Sequence, residues 1–320
     1  MSLSRRQKWR IEKIQAERIA RAQKAAQQSE RRLDDAQEQQ TGLVVTRYGQ
    51  HLLVEAEDGT LFQCTGRQNI ELSVAGDQVV FQAISDDEGV VTALLPRENE
   101  LRRSEKLIAS NVDELYLVVA TEPHYQFELI DRYLIMAENA GLPIELIVNK
   151  IELDDLEQIK SDFAMYERIG YPVNYISVKQ NIGIQELQQR LVDQTNIFLG
   201  QSGVGKSSLI NALIPDLNLR VNAISDKSKL GKHTTTNTTL YHIPSGGDLI
   251  DSPGVREFQL ENLSEREILS GFKEFQAYLG RCKFRNCAHV NEPNCAIKGA
   301  LEAGELHPKR YESYLQLIGY

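Results

Sequence analysis

The residues with the clearest chemistry form one short stretch, Gly200-Gln201-Ser202-Gly203-Val204-Gly205-Lys206-Ser207. This G-x-x-x-x-G-K-S spacing is typical of a loop that binds nucleotide phosphates, because the glycines let backbone N–H groups turn toward phosphate oxygens. In such a loop the lysine reaches the β- and γ-phosphates, and the hydroxyl of the following serine can bind Mg²⁺. An apolar run ends at Leu199 and a helical run begins near Ser208. The stretch therefore has the expected strand before it and helix after it, and it predicts a nucleotide site.

Three further polar motifs follow apolar runs, each where a strand is expected to end. They are Asn149-Lys150-Ile151-Glu152, Ser177-Val178-Lys179 and Asp251-Ser252-Pro253-Gly254. In an open parallel sheet, ligands bind outside the carboxyl ends of the strands, so these motifs should meet the phosphate loop in one crevice. The Asn-Lys pair disfavours a P-loop ATPase or kinase.

The order of these motifs is unusual, because the expected base-binding motifs come before the phosphate loop. A further segment, Gly231-Lys232-His233-Thr234-Thr235-Thr236, lies between the phosphate loop and Asp251. This order resembles that of the circularly permuted GTPases, and it is most similar to the bacterial family of ribosome small subunit-dependent GTPase A. The resemblance covers nearly the whole chain.

The resemblance implies a GTP-hydrolysing molecular switch that binds the small ribosomal subunit and its rRNA and assists late maturation of that subunit. GTP and GDP would be its ligands, and hydrolysis would be slow alone and stimulated by the subunit. Two departures motivate an alternative: Glu152 stands where the family carries aspartate, and Val255 stands where many GTPases carry glutamine. The alternative is an RNA-binding ribosome assembly protein with a largely structural guanine nucleotide site.

The phosphate side of the site has expected roles for several residues. Lys206 and the backbone N–H groups of its loop should hold the phosphates, and Ser207 and Thr235 should bind Mg²⁺. Asp251 would reach that metal through water, and the N–H of Gly254 would sense the γ-phosphate.

The base side is expected to select guanine. Asn149 and Lys150 should flank the base, Glu152 should accept from its N1–H and exocyclic amine, and the N–H of Val178 should donate to its O6. The resemblance points to His233 as the catalytic residue that positions water. The full expected GTP-binding set is Asn149, Lys150, Glu152, Ser177, Val178, Lys179, Gly200, Gln201, Ser202, Gly203, Val204, Gly205, Lys206, Ser207, Ser208, Thr235, Asp251 and Gly254.

The cysteines indicate a metal site. Three of the four cysteines lie between residues 282 and 295, in the pattern Cys-x4-Cys-x-His-x5-Cys. Cys282, Cys287, His289 and Cys295 would supply three thiolates and one imidazole, which is a ligand set of closed structural zinc sites. This clustering predicts one structural Zn²⁺ rather than disulfides, in a reducing compartment. Cys64 stands alone and is expected to be buried.

Residues 41–96 alternate short runs of β-forming residues with turns. Five strands are expected, at residues 43–45, 51–55, 61–64, 79–83 and 90–95. Their spacing is typical of a small barrel and leaves an oligonucleotide-binding (OB) fold and an SH3-like barrel open. The resemblance favours the OB fold, whose exposed face and loops accept single-stranded nucleic acid. Candidate surface contacts are Arg47, Tyr48, His51 and Arg67.

Residues 113–251 alternate strand-like and helix-like runs, which predicts a mostly parallel sheet with helices on both faces. Residues 300–319 predict a helical tail with a break at Pro308. Four parts are therefore expected: a basic N-terminal arm and linker (1–40), an OB-fold domain (41–100), a circularly permuted P-loop GTPase domain (101–260), and a zinc-binding helical domain with a C-terminal helix (261–320).

Charge is unevenly distributed along the chain. The net charge is −9, yet residues 1–40 hold ten Lys and Arg against six Asp and Glu. A basic arm on an acidic protein concentrates attraction to RNA in one segment. The 41% apolar content includes no run near the roughly 18 residues of a membrane span. We therefore expect a cytoplasmic monomer with no membrane partner.

Overall fold

The computed structural model describes residues 39–66, 73–103, 106–217, 238–251 and 263–320. Several predictions concern residues outside these ranges, namely those for most of the basic arm and for Arg67, His233, Thr235, Gly254 and Val255.

Secondary structure follows the predicted order of a β-rich part, an α/β part and a helical part. The described strands are β1 (Gln39–Tyr48), β2 (His51–Ala56), β3 (Leu61–Gly66), β4 (Gln78–Ala83), β5 (Glu88–Leu94), β6 (Glu100–Arg103), β7 (Lys106–Ser110), β8 (Glu114–Ala120), β9 (Ile144–Asn149), β10 (Val173–Tyr175), β11 (Thr195–Leu199), β12 (Thr239–His242) and β13 (Asp248–Asp251). The described α-helices are α1 (Phe127–Ala140), α2 (Leu156–Ile169), α3 (Ile184–Arg190), α4 (Lys206–Leu213), α5 (Glu265–Gly271), α6 (Ala296–Glu302) and α7 (Pro308–Leu317). No described helix has the length and apolar character needed to cross a membrane.

The first five strands close into a barrel in the order β1-β2-β3-β5-β4 and back to β1. Strands β3 and β5 run parallel, and the other neighbours are antiparallel. This closed five-stranded barrel confirms the OB-like prediction. Its interior is filled by apolar side chains such as Val54, Phe81 and the buried Cys64. Packing is tight at Gly42, where a Cβ would lie 2.5 Å from Cγ1 of Val54.

One predicted surface contact of the barrel is wrong. Tyr48 is only 8% exposed and packs in a small apolar cluster with Val45 and Leu53. Its ring also stacks on His51, with 5.8 Å between ring centroids. Because burying an aromatic ring removes a large apolar area from water, Tyr48 stabilises the barrel rather than facing a partner.

The α/β part is built on a mostly parallel sheet, as predicted. Its strand order is β10-β9-β8-β11-β13-β12, and only β12 runs antiparallel to its neighbour. Strand β8 is central, and its side chains alternate between two apolar cores on opposite faces of the sheet. Helix α2 begins at Leu156, because Asp155 caps it by accepting from the N–H of Glu157 at 3.0 Å.

The barrel and the α/β part share one continuous 11-stranded sheet, because edge strand β12 pairs with β1. The hairpin of β6 and β7, which the sequence analysis did not predict, lies between them in the chain. Buried Asp77 of the barrel accepts from Ser110 Oγ at 2.5 Å and from Arg97 Nε at 2.8 Å. These polar contacts fix the barrel against the hairpin and its linker.

The C-terminal part packs its own apolar core against helix α1 of the α/β part. Ile135 of α1 belongs to that core together with Phe272, Phe275 and Tyr314. Pro308 occupies the first turn of α7, where its missing N–H costs no helical hydrogen bond. The predicted break at Pro308 is therefore the boundary between helices α6 and α7.

Candidate nucleotide site and metal centre

The phosphate loop connects β11 to α4, and its shape requires glycine. Gly200 has φ +132° and a Cβ there would lie 2.1 Å from the carbonyl oxygen of Val118. Gly205 has φ +97° and a Cβ would lie 2.4 Å from Asn149 Nδ2. Both values forbid an ordinary side chain. The loop can therefore pass close to the neighbouring strand ends with its N–H groups available to a ligand.

Lys206 begins α4 and turns back into the loop. Its side chain is buried, and Nζ donates to the carbonyl oxygens of Gly200 and Gln201. The hydroxyl-bearing residues Ser207 and Ser208 follow in the exposed first turn of the helix. An ammonium group held inside such a loop is placed to meet phosphate oxygens.

Asn149 joins three of the predicted motifs through one buried side chain at the end of β9. Its Nδ2 donates to the carbonyl oxygen of Val204 at 3.0 Å, and its Oδ1 accepts from the N–H of Val178 at 3.3 Å. Lys150 follows with φ +63°, and its Nζ donates to the carbonyl oxygens of Gly203, at 2.8 Å, and Glu122. The predicted base-binding residues therefore lie against the phosphate loop.

Glu152 lies in the 3-10 turn Ile151–Leu153 that follows this Asn-Lys pair. Its Oε2 is buried and has no hydrogen-bond partner among the described residues. A buried carboxylate oxygen without a donor is costly, so this atom is suited to a ligand that brings one.

The Ser177–Lys179 segment is shaped by its own backbone. Ser177 is fully buried, its Oγ accepts from the N–H of Gln180 at 3.0 Å, and its backbone bonds Ile182 in both directions. Lys179 is exposed. Ser177 therefore holds the loop that presents the N–H of Val178.

Asp251 ends β13 on the same edge of the sheet. Strand β13 runs beside β11 with Ile250 opposite Ile197, so Asp251 lies near the end of β11, where the phosphate loop begins. The structure thus brings all the described motifs to the carboxyl ends of neighbouring parallel strands.

Two residues of this crevice were missed by the sequence analysis. The hydroxyl of Thr121 donates to the carbonyl oxygen of Lys150 at 2.9 Å, and the carbonyl oxygen of Glu122 accepts from the Lys150 ammonium. Both residues directly follow β8. The available signal was their position after an apolar strand, which is the rule that identified the other motifs.

Comparison with known proteins identifies the family. The family model described as RsgA GTPase matches residues 94–261. The chain belongs to the RsgA GTPase family. It is 44% identical to the small ribosomal subunit biogenesis GTPase RsgA of Hahella chejuensis, over 98% of this chain and 94% of that protein. It is 45% identical to the protein of the same name from Pseudomonas putida, over 99% and 96%.

Solved structures agree with this assignment. The crystal structure of YjeQ from Thermotoga maritima matches with a TM-score of 0.73 and 31% identity, covering 88% of this chain and all of that one. The structure of YloQ, described as a circularly permuted GTPase, matches with a TM-score of 0.70 and 30% identity, over 88% and 94%. This RsgA-family chain is accordingly a GTP-hydrolysing enzyme with the permuted motif order.

The cysteine cluster of this RsgA-family GTPase fits a metal. The ligand atoms of Cys282, Cys287, His289 and Cys295 all lie within 4.8 Å of one another. His289 Nδ1 lies 3.5 Å from Cys282 Sγ and 3.3 Å from Cys295 Sγ, and the two sulfurs are 3.9 Å apart. Tetrahedral Zn²⁺, with Zn–S near 2.3 Å and Zn–N near 2.0 Å, separates its ligand atoms by roughly 3.5 to 3.8 Å. The four side chains therefore fit a closed structural zinc site.

Surrounding groups hold this cluster in shape. Tyr311 OH donates to the carbonyl oxygen of His289 at 2.6 Å, which connects helix α7 to residues 282–295, the metal loop. The Glu292 carboxylate accepts from the N–H groups of Ala288, at 2.8 Å, and Val290, at 3.0 Å. Backbone hydrogen bonds of this kind lower the pKa of Glu292 to about 2. Burial raises the pKa of Cys287 to about 12, against the opposing effect of a backbone hydrogen bond from His289.

Proposed function

We propose that this GTPase is a molecular switch that binds the small ribosomal subunit and its rRNA and assists late maturation of that subunit. The observation that carries the proposal is the contact of Asn149 and Lys150 with the phosphate loop, followed in the chain by Glu152, whose buried Oε2 has no hydrogen-bond partner among the described residues. The two curated relatives cited above are named for small ribosomal subunit biogenesis. Their similarity extends over nearly the full length of this chain, including its barrel and metal loop.

The proposed chemistry divides the crevice into two sides. Lys206 and the loop N–H groups hold the phosphates, and Ser207, Thr235 and Asp251 are the residues that would hold Mg²⁺. That ion, when bound, would neutralise charge on the β- and γ-phosphates. Lys150 packs along the guanine ring, and Glu152 accepts the two donors on its edge. His233 positions the attacking water, and hydrolysis is slow until the subunit is bound.

Contact with rRNA is proposed for three parts of the chain, which are the basic arm, the barrel and the zinc-binding domain. In the zinc-binding domain, the metal loop exposes Arg281, Lys283 and Arg285 beside Phe284, which is 42% exposed. Cations beside an exposed aromatic ring are typical of surfaces that bind unpaired nucleotides. We also propose that the domains of this chain end at residues 40, 100 and 260.

Sedimentation with purified small subunits tests the proposal. The protein should co-sediment with the subunits in a non-hydrolysable GTP analogue and be released in GDP. Lys206→Ala is the control, because it keeps every proposed RNA contact and weakens nucleotide binding. The absence of subunit binding by the wild type in either nucleotide would contradict the proposal.

Glu152 favours a second candidate function, an RNA-binding assembly protein whose guanine nucleotide site is largely structural. Phosphate release separates the two functions, because only the switch predicts stimulation by small subunits.

Glu152→Asp then tests how the base is held. The longer glutamate must fold back to present both oxygens, which costs about 1 kcal/mol of rotamer freedom. We expect Glu152→Asp to tighten GDP and GTP binding by roughly fivefold in calorimetry. ATP binding should stay undetectable in both proteins. Equal affinity of the wild type for ATP and GTP would overturn the guanine assignment.

A further inference from the structure

Three residues are paired in a row across neighbouring strands at the junction of the barrel and the GTPase sheet. Thr46 of β1 stands opposite Thr239 of β12, and Thr239 stands opposite Asp251 of β13. The last of these is the residue assigned to the metal side of the nucleotide site. Strand β1 of the barrel is therefore separated from Asp251 only by strand β12.

Buried hydroxyl groups connect the first two of these residues, Thr46 and Thr239. Thr46 is 3% and Thr239 is 9% exposed. Thr239 Oγ1 donates to Thr46 Oγ1 at 3.2 Å, and Thr46 Oγ1 donates to the carbonyl oxygen of Thr238 at 2.9 Å. Because buried hydroxyls that lose their partners are costly, this chain fixes β12 against the barrel.

Strands β12 and β13 depend on that support. Each has four residues, and they form a hairpin closed by a turn in which the N–H of Ile243 donates to the carbonyl oxygen of Gly247 at 2.9 Å. A short two-stranded hairpin is marginally stable alone. Strand β11 flanks it on one side and β1 of the barrel on the other. At its far end, His242 Nε2 lies 2.7 Å from Oε2 of Glu55 in the barrel.

We infer that Thr46 and Thr239 are positioning residues for Asp251, so that the barrel forms part of the scaffold on the metal side of the nucleotide site. This inference rests on the proposed function, which gives Asp251 its role toward Mg²⁺. The barrel then contributes to Mg²⁺-dependent nucleotide binding without touching the nucleotide. A partner that shifts β1 would be sensed at Asp251 through the same two hydroxyls.

The test compares hydroxyl deletions in the full-length protein. Thr46→Val and Thr239→Val remove the two hydroxyls and keep the side-chain shape, and Thr46→Ser restores the first hydroxyl. Thr92→Val is the matched control, because Thr92 Oγ1 donates to the carbonyl oxygen of Val80 at 3.2 Å within the barrel, away from β12. Each variant is measured by amide hydrogen exchange of residues 249–251 without nucleotide, and by Mg²⁺ titration of GDP binding.

We expect both junction variants to raise the amide exchange rate at residues 249–251 by about 3- to 10-fold. The Mg²⁺ concentration that gives half of the maximal increase in GDP binding should rise by a similar factor. GDP affinity in EDTA should change less than about twofold, since Asp251 acts through the metal. Thr46→Ser and Thr92→Val should match the wild type. Equal behaviour of Thr46→Val and Thr92→Val, or loss of GDP affinity in EDTA as well, would overturn the inference.

The proposed function and this inference fail in different ways. A wild type that shows no Mg²⁺-dependent GDP binding would refute the proposed function and, with it, the role of Asp251. A wild type that binds normally, together with junction variants that leave exchange and Mg²⁺ dependence unchanged, would refute the positioning role alone.

Discussion

The barrel and the C-terminal part, which carries the cysteine cluster, are attached to the GTPase sheet in different ways. Helix α5 approaches α1 so closely that a Cβ at Gly271 would lie 2.5 Å from Ile135 Cγ2. Arg310 of α7 is fully buried between Asp131 of α1 and Glu274, and its guanidinium lies 4.4 Å from the centre of the Phe272 ring. This junction combines an apolar core with a desolvated ion cluster.

The barrel junction adds polar groups to the apolar contacts that Ala75 and Leu43 of the barrel make with the core of the sheet. Hydroxyls of Thr46 and Thr239 meet across one strand pair, and His242 connects β12 to Glu55 with 48% of its side chain exposed. This junction also contains a buried arginine. Arg97 donates to the carboxylate of Asp77 through two nitrogens. Polar junctions reorganise more readily than apolar ones. We therefore expect the C-terminal part to move with α1, and we expect the more polar barrel junction to respond more strongly to solution conditions.

The largest expected effect is removal of the metal, which tests whether the apolar junction depends on it. Cys287→Ser should release zinc and unfold residues 270–300, because structural zinc supplies much of the folding free energy of a small domain, on the order of 10 kcal/mol. Metal content by mass spectrometry should fall from one zinc per chain to nearly none. Cys64→Ala, which changes a buried cysteine of the barrel, should keep the metal. Full zinc content in Cys287→Ser would refute the site.

A smaller effect is expected from breaking the buried ion cluster. Arg310→Met leaves the carboxylate of Asp131 buried without its cation, which costs about 3 to 5 kcal/mol. Urea unfolding measures this loss. Arg132→Met on the same helix is the control, because Arg132 and Glu128 form a half-exposed pair worth under about 1 kcal/mol. Equal stability of the two variants would mean that the apolar core alone holds the domain.

The sequence predicted the elements that local patterns determine. Apolar runs predicted the five barrel strands to within a few residues, and they predicted the alternation of strands and helices over residues 113–251. The motif order identified the permuted GTPase, and the glycines of the phosphate loop lie where the backbone requires them. The motifs could be assigned to one crevice because parallel strands bring their carboxyl ends to one edge.

Contacts between distant parts of the chain could not be predicted in this way. The pairing of β12 with β1 joins residues 193 positions apart, and the Arg310–Asp131 pair joins residues 179 positions apart. Nothing local distinguishes buried Arg310 from the exposed arginines of other helices. The β6–β7 hairpin was missed because the charges in Glu100–Arg103 obscure its alternation.

Arg97→Met tests how much the buried arginine at the barrel junction contributes to stability, for comparison with Arg310→Met. We expect a loss of about 2 to 3 kcal/mol, smaller than for Arg310, because Asp77 still accepts from Ser110 Oγ at 2.5 Å and from the N–H of Val74 at 2.8 Å. Hydrogen exchange should rise in β6 and β7 before it rises in α7. Arg102→Met, which removes an exposed partner of Glu100, is the control. A loss as large as that of Arg310→Met would show that the two junctions are equally rigid.

The smallest expected effect is a pH dependence confined to the barrel junction. His242 Nδ1 lies 2.5 Å from Asp248 Oδ1, and Nε2 lies 2.7 Å from Glu55 Oε2. Hydrogen bonds to Asp248 and then Glu55 raise the pKa of His242 to about 10 against the opposing effect of burial. Because the folded pKa is above the unfolded value, the stabilisation by His242 is complete below about pH 6.5 and is lost as the pH rises through about 10.

Comparison with His242→Gln isolates this contribution. The difference in urea midpoint between wild type and variant should be largest near about pH 6 and should vanish above about pH 10. Other groups that titrate in this range are common to both proteins, so their effects cancel in the difference. Because nearly half of the His242 side chain is exposed, salt should reduce the difference at low pH. A difference that stays constant from about pH 6 to 10.5 would mean that His242 contributes packing rather than charge, and the barrel junction would then be no more sensitive to pH than the Arg310 cluster.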